Sequence, residues 1–488
     1  MATPGANALK KRGSRLSFDP VLISVAGTSS IASTSGSFAA VKSGGSVTTW
    51  GDPLSGGDSS AVMPLLLKGG FVKVYSTRKA FAAVTDAGAV TCWGDLKWGG
   101  DISAVYHLLQ GGVQDIFLTV SAFAALKNNG SVVTWGSAKG GGDSSAVTQN
   151  LQSNVVLIYA NQSAFAAVKF DGTVVTWGDP DIGGDSSAVS SQLVDVKRIY
   201  SLRRAFAALR LDGSVVTWGD ATCGGDSSAV RDQLQSGVQT IISLRKAFVA
   251  IKTDGSIVVW GGNDVSIFSQ QVKEQLQHDV KHVYVTNRAF AAVKSNGSVV
   301  TWGDLDTGGD SSGMRELLES DVEKIYSNEV AFVALKFGGK VVTWGDAKGG
   351  GDSSLVRAKL AGGVLQVFPA QGAFAALTSD GGVVTWGDSG SGGDSSEVAD
   401  RLCSGVKQVY PLKRAYAALK YDGSVVTWGD PNYGGDSSEV EKELMAEVDK
   451  IYFNDMAFAA VKSSGSVVTW GDAEWGGDSS TVKSQLGM

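Results

Sequence analysis

One tryptophan-glycine pair recurs at a nearly fixed interval through the whole chain, and no other feature restricts the possible folds as strongly. Its Trp stands at 50, 93, 135, 177, 218, 260, 302, 344, 386, 428 and 470, a spacing of 42 in eight of ten intervals, with one 43 and one 41. An aromatic residue precedes each Trp by twelve positions: Phe38, Phe81, Phe123, Phe165, Phe206, Phe248, Phe290, Phe332, Phe374, Tyr416 and Phe458. A period of this length marks a chain that grows by adding one supersecondary unit, so its 488 residues need not divide into the three or so domains that length alone suggests. The chain reads as eleven tandem units over residues 31–488, without linkers, after a lead-in of residues 1–30.

Within a unit, "VEKIYSNEVAFVALKFGGKVVTWGD" (Val322–Asp346) shows β-rich runs around Ile325-Tyr326, across Phe332–Lys336 and at Val341–Trp344. Between the second and third runs, five copies place Asp-Gly, as at Asp171-Gly172 and Asp422-Gly423, and two place Asn-Gly. That chemistry predicts a hairpin with a two-residue turn of positive φ. After Trp-Gly comes "GGDSSAV", then a second apolar residue four positions past the Val: Val62/Leu66, Val147/Leu151, Val230/Leu234 and Val440/Leu444. This spacing predicts one stripe on a helix of about two turns. Three strands and a short helix cannot bury both sheet faces alone, so neighbours must stack around a shared core. The expected fold is a mainly β, β-propeller-like repeat protein of eleven such units.

The pattern V..IYS...AFAALK.DGSVVTWGD...GG resembles the repeat of the regulator-of-chromosome-condensation family, whose units run from a Val-Ile strand through an Ala-Leu strand and Asp-Gly turn to Trp-Gly. In length it is closest to the shorter, three-stranded version of that repeat found in bacterial β-lactamase-inhibitor propellers. Two departures stand out: Gly-Gly-Asp-Ser-Ser replaces the family's usual Gly-Gln-Leu-Gly, and the family's rings typically have seven blades. Propellers usually close with 4–8 blades. Eleven sheets packed about 10 Å apart would put their centres at a radius of roughly 17 Å, so a large ring with a wide hole and an open spiral are both expected arrangements. The resemblance also implies a nucleotide-exchange factor for a small GTPase, or a chromatin binder, as alternative functions, although no residue here matches that activity.

Charged residues make up 18% of the chain and the net charge is -6, which offers no global attraction to nucleic acid or membrane. No apolar run approaches the roughly 18 residues that span a bilayer. Cys92, Cys223 and Cys403 occupy different places in three different repeats, which implies neither a disulfide framework nor a zinc site and fits an intracellular, reducing location, cytoplasmic or nuclear. The first 18 residues hold Lys10, Lys11, Arg12 and Arg15 and no acid, which reads as a tail, with organelle targeting or a nuclear signal as the alternatives.

Nine copies have Asp directly after Trp-Gly, and ten have Asp in Gly-Gly-Asp. Asp-Ser-Ser before a short apolar-periodic segment suits capping of a helix start, and the glycines suit a tight reversal. Two carboxylates six apart on a Gly-rich loop also suit calcium, and with it calcium-dependent surface or carbohydrate binding. The three histidines, His107, His278 and His282, recur at no fixed place. No nucleophile elbow, phosphate loop or His-Glu-x-x-His occurs. Neither an enzyme nor a cofactor is expected.

Variation is concentrated just before the Ala-aromatic pair. Five copies carry base there: Arg78-Lys79, Arg203-Arg204, Arg245-Lys246, Asn287-Arg288 and Lys413-Arg414. Three are consecutive, in repeats five to seven, so Arg203, Arg204, Arg245, Lys246 and Arg288 should form a basic patch suited to an acidic protein surface or a phosphate. The sixth copy, "VVWGGNDVSIFSQQV" (Val258–Val272), loses both aspartates and the Gly-Gly and gains Val265, Ile267 and Phe268. Apolar residues beside a basic patch fit a binding hot spot. The expectation is a non-enzymatic scaffold that binds another protein or macromolecule through the loops of repeats five to seven.

Overall fold

The computed structural model describes residues 28–262 and 269–486. Each module is a separate three-stranded antiparallel sheet with its strands paired in chain order, and among the described residues no strand pairs across modules. In the eighth module the strands are Val322–Ser327, Ala331–Lys336 and Val341–Gly345. Register sets Phe332 opposite Trp344, and their rings stack with centroids 5.2 Å apart. The same stack occurs in all eleven modules.

Alternation along the second strand decides which neighbour each side chain meets. Ala331, Val333 and Leu335 face forward and pack with Phe374 and Trp386 of the ninth module. Phe332 and Ala334 face back, against Ala289, Ala291 and Val293 of the seventh. Aromatic rings on one sheet thus meet small side chains on the next, which fills each interface at the density of a protein interior.

Those rings land on the Gly-Gly of the preceding module. Gly350 has φ 98°, and a Cβ there would lie 2.6 Å from Phe374 Cδ2. Its carbonyl accepts from Trp386 Nε1 at 3.0 Å. Ten tryptophans donate in this way to the preceding module, at 3.0–3.2 Å. The second glycine is equally confined, since a Cβ on Gly351 would lie 2.4 Å from Gly345 O. The Gly-Gly is therefore a joint between modules as well as the local reversal expected of it.

The eleventh module packs on the first in the same manner. Trp50 Nε1 donates to Gly476 O at 3.2 Å, and Phe38, Ala40 and Trp50 share a core with Ala457, Ala459 and Val461. Ser33 Oγ donates to Phe453 O at 3.2 Å, as Ser76 does to Ser33 O and Ser327 to Val285 O one module back. Of ring and spiral, the chain forms the ring. First strands of neighbouring modules lie against one another while third strands are separated by loops, so the first strands form the inner wall.

Two local expectations change. The hairpin loop has three residues rather than two: Lys169 pairs with Thr173, Gly172 N donates to Lys169 O at 2.9 Å, and only Gly172 takes positive φ. A turn followed by one left-handed glycine is the next commonest way to join such strands. The predicted helix is mostly a 3-10 turn, as at Ser145–Leu151, and among the described residues is α-helical at Met63–Lys68, Gln270–Gln275 and Ala399–Leu402. One buried anchor per copy, such as Leu151 or Leu234, holds the turn, and so short a segment gains little from α geometry.

A hydroxyl pair ties the third strand to that turn, Thr343 Oγ1 to Ser353 Oγ at 3.0 Å in the eighth module. The second module replaces both partners together, with Cys92 and Ile102 packed in one apolar cluster. Ser353→Ile alone should therefore cost about 1–2 kcal/mol more than Thr343→Cys/Ser353→Ile, read from urea unfolding as a double-mutant cycle. At the joint, Gly350→Ala should destabilise by about 2–5 kcal/mol, combining left-handed strain with overpacking. Gly44→Ala, at a turn glycine with no atom within 4 Å of a Cβ, should stay within about 0.5 kcal/mol of the parent.

Candidate functional site

The loop between first and second strands and the loop after Trp-Gly share one rim, because antiparallel pairing returns the third strand to the start of the second. In the fifth module Ala205 pairs with Gly219, Asp220 N donates to Arg204 O at 2.9 Å, and Arg204 Nε meets Asp220 Oδ2 at 2.6 Å. Rim loops also join from module to module: Arg78 N donates to Val120 O at 3.0 Å, Val120 N to Gln162 O at 3.0 Å and Gln162 N to Arg203 O at 3.2 Å. The basic pairs and the sixth-copy irregularity therefore begin on the same rim.

Both repeated aspartates are engaged by backbone. The Asp of Gly-Gly-Asp accepts from the N–H two residues on, as Asp310 does from Ser312 at 2.8 Å, and all ten copies repeat this bond. The Asp after Trp-Gly caps its own turn in eight of its nine copies, as Asp95 does by accepting from Lys97 N at 2.9 Å, whereas Asp388 accepts from Ser391 Oγ at 2.8 Å. Capping is thus what the motif does. Among the described residues no group of three or more His, Cys, Asp or Glu is placed to hold a metal ion. His278 pairs with Asp279, its Nδ1 2.6 Å from Oδ2, and His282 lies edge-on to Tyr284. The cysteines are free, and burial pushes the Cys92 thiol up.

All five predicted basic residues are exposed, but they are not equivalent. Arg204 is neutralised by Asp220, and Arg288 by Asp304 at 3.2 Å. Arg414 in the tenth module pairs with Asp430 at 3.2 Å. Arg203 donates from Nε to Gln162 Oε1 at 2.8 Å. The basic patch is therefore partly compensated, each such Arg facing the Asp sixteen residues on in its own module. The sixth module breaks this rule because Gly262 stands where that Asp would be. Arg245 and Lys246 make no ion pair with any described residue.

The sixth module's backbone departs from that of the others at Gly262. Gly262 has φ 59°, and its N–H donates to Thr222 O of the fifth module at 3.1 Å rather than to Lys246 O. Capping is taken over by Ser269, whose Oγ accepts from Val272 N at 3.2 Å at the start of Gln270–Gln275. A pocket of about 210 Å³ opens between modules five, six and seven, lined among others by Thr222, Arg245, Lys246, Asn287 and Arg288. Three of the five predicted basic residues line it, and Arg203 and Arg204 stand outside. Val265, Ile267 and Phe268 lie outside the described residues, as do residues 1–27 of the lead-in. The pairing of Lys246 with position 262 escapes a reading of the loops one at a time, because it depends on a register that brings residues sixteen apart together.

No family model matches the chain, and no curated protein matches it in sequence. Among solved structures it is similar to the ectodomain of the receptor kinase CR4 from Physcomitrella patens, at 13% identity and a TM-score of 0.30 over 55% of this chain and 70% of that one. The computationally designed Ika8 protein is 13% identical with a TM-score of 0.28, over 82% of this chain and 96% of that one. Prp20p from Saccharomyces cerevisiae, described by its binding to Gsp1p and histones, is 15% identical with a TM-score of 0.28, over 55% and 69%. Prp20 is the yeast RCC1, so the neighbours include a protein of the type the repeat resembles, at low identity. Scores near 0.3 do not amount to a shared overall arrangement, and the architecture above rests on this chain's own strands.

The capping carboxylates set a pH dependence. In Asp143, Asp185, Asp226 and Asp310 the backbone N–H of the Ser two residues on holds the carboxyl below its ordinary 3.8. Their contribution to stability is complete above the unfolded value and is lost as pH falls through the lower folded value. The melting temperature should therefore drop below about pH 4 and more gently when these four are Asn, checked by circular dichroism from pH 2 to 6.

Proposed function

We propose that this chain is a non-enzymatic scaffold that holds another protein or macromolecule against the rim of repeats five to seven. The observation that carries the reading is the exchange of the rim Asp for Gly262, which leaves Arg245 and Lys246 without a described counter-ion beside a pocket. The fifth, seventh and tenth modules supply the control, since in each of them a second-position Arg meets the Asp sixteen residues on. Val265, Ile267 and Phe268 supply apolar character in the same repeat, and desolvated apolar anchors next to charged groups are what dominate binding surfaces. Nucleotide exchange on a small GTPase, the alternative that the resemblance implies, has no residue of this chain assigned to it, and the aspartates that would serve calcium are engaged in capping.

Reversal to Glu of Arg203, Arg204, Arg245 and Lys246 tests the reading, with partners identified by affinity purification and mass spectrometry. The variant should keep its fold by circular dichroism and lose the proteins that accompany the parent, and so should Ile267→Ser/Phe268→Ser. An unchanged set of partners in both variants would remove this rim from consideration.

A further inference from the structure

We propose that the pocket between the fifth, sixth and seventh modules binds a phosphate group, either free or carried on a partner's side chain. This inference rests on the scaffold reading for its biological setting and on its own geometry for its chemistry.

The repeat supplies an internal comparison. Where Arg occupies the second rim position, the Asp sixteen residues later meets it: Arg204 with Asp220 at 2.6 Å, Arg288 with Asp304 at 3.2 Å and Arg414 with Asp430 at 3.2 Å. The sixth module keeps the cation, Lys246, and adds Arg245 beside it, but holds Gly262 in the acidic position. Such an exchange deletes a carboxylate from a place built to receive one. The removal of that side chain and the diversion of Gly262 toward Thr222 O coincide with a pocket of about 210 Å³, large beside the ~30 Å³ share of a water molecule.

Donors converge on this space. Arg245 and Lys246 face it without ion-pair partners among the described residues. Arg288 lines it too, and a guanidinium held by Asp304 through Nη1 retains further N–H groups. Asn287 borders the pocket while its Nδ2 is held 3.5 Å from Glu329 Oε2 of the eighth module, which gives the site one acidic edge. Thr222 already donates its hydroxyl to Asp220 Oδ1 at 2.7 Å.

Charge selects the ligand. Two cations without an ion-pair partner among the described residues call for about two negative charges, and a phosphate monoester carries roughly −1.5 to −2 at pH 7 with three acceptor oxygens. A single carboxylate leaves one cation unmatched. Planar guanidinium groups bind phosphate oxygens in pairs, and an ammonium adds a point charge, so Arg245, Arg288 and Lys246 form a suitable set.

The test is isothermal titration of the full chain at constant ionic strength with inorganic phosphate, a phosphoserine peptide and the same peptide unphosphorylated. Phosphate should bind saturably, at least tenfold more weakly to Arg245→Ala/Lys246→Ala and within about twofold of the parent to Lys413→Ala/Arg414→Ala, where the second-position Arg has its Asp. A phosphopeptide that binds at least tenfold tighter than inorganic phosphate identifies a partner's side chain as the source, and equal affinities identify the free ion. The proposal is overturned if no probe saturates, or if both double variants weaken binding equally, the mark of diffuse attraction. Loss of partners on charge reversal without phosphate binding removes the phosphate site alone. Phosphate binding with an unchanged set of partners removes the scaffold reading alone.

Discussion

Everything in this molecule hangs on the contact between an aromatic stack and a glycine loop one module earlier. The stack presents a flat ring and an indole N–H, and the loop presents a carbonyl on a residue without a side chain, so the two fit only if the glycine stays glycine and the carbonyl stays in place. Chain length follows the same constraint. In ten copies the joint glycine lies six residues after its Trp, from Gly56 after Trp50 to Gly476 after Trp470. The one-residue departures from the 42-residue period fall elsewhere, between Gly56 and Phe81 and between Gly183 and Phe206, where the turn runs into the next first strand. Length varies where the chain crosses between modules and is fixed where modules touch.

Most of the fold was legible in the sequence because period and alternation are properties of single residues in order. The three strands and the hairpin follow from β propensity and turn chemistry, and the need to stack follows from a sheet too small to bury both faces. What was not legible depends on distance in space. Trp50 meets Gly476 through the same two residue types that join nine other pairs, so nothing in their identity reveals that the last module returns to the first. Asp-Gly is compatible with two-residue and three-residue loops, and only the pairing of Lys169 with Thr173 decides between them. The 3-10 turns likewise share their Val and Leu spacing with a short α-helix.

At the rim, the sequence identified the basic loops and the aberrant sixth copy but could not grade them. Grading required knowing that Arg204, Arg288 and Arg414 each sit above the first turn of their own module, where an Asp meets the guanidinium. Gly262 removes a capping carboxylate and a counter-ion in one substitution, while Ser269 caps the later segment Gln270–Gln275, which the Asp of Gly-Gly-Asp serves in other copies.

Ring closure has a consequence for how such a protein can change in length. An open stack of repeats exposes an apolar face at each end and needs special end modules to cover it, whereas here Ile31, Phe38 and Trp50 are covered by the eleventh module itself. Eleven identical turns must sum to a full circle, about 33° each. The gain or loss of one whole repeat would therefore redistribute a few degrees over every joint at once, and the glycine contacts, which tolerate no added atom, are where that angular error would accumulate.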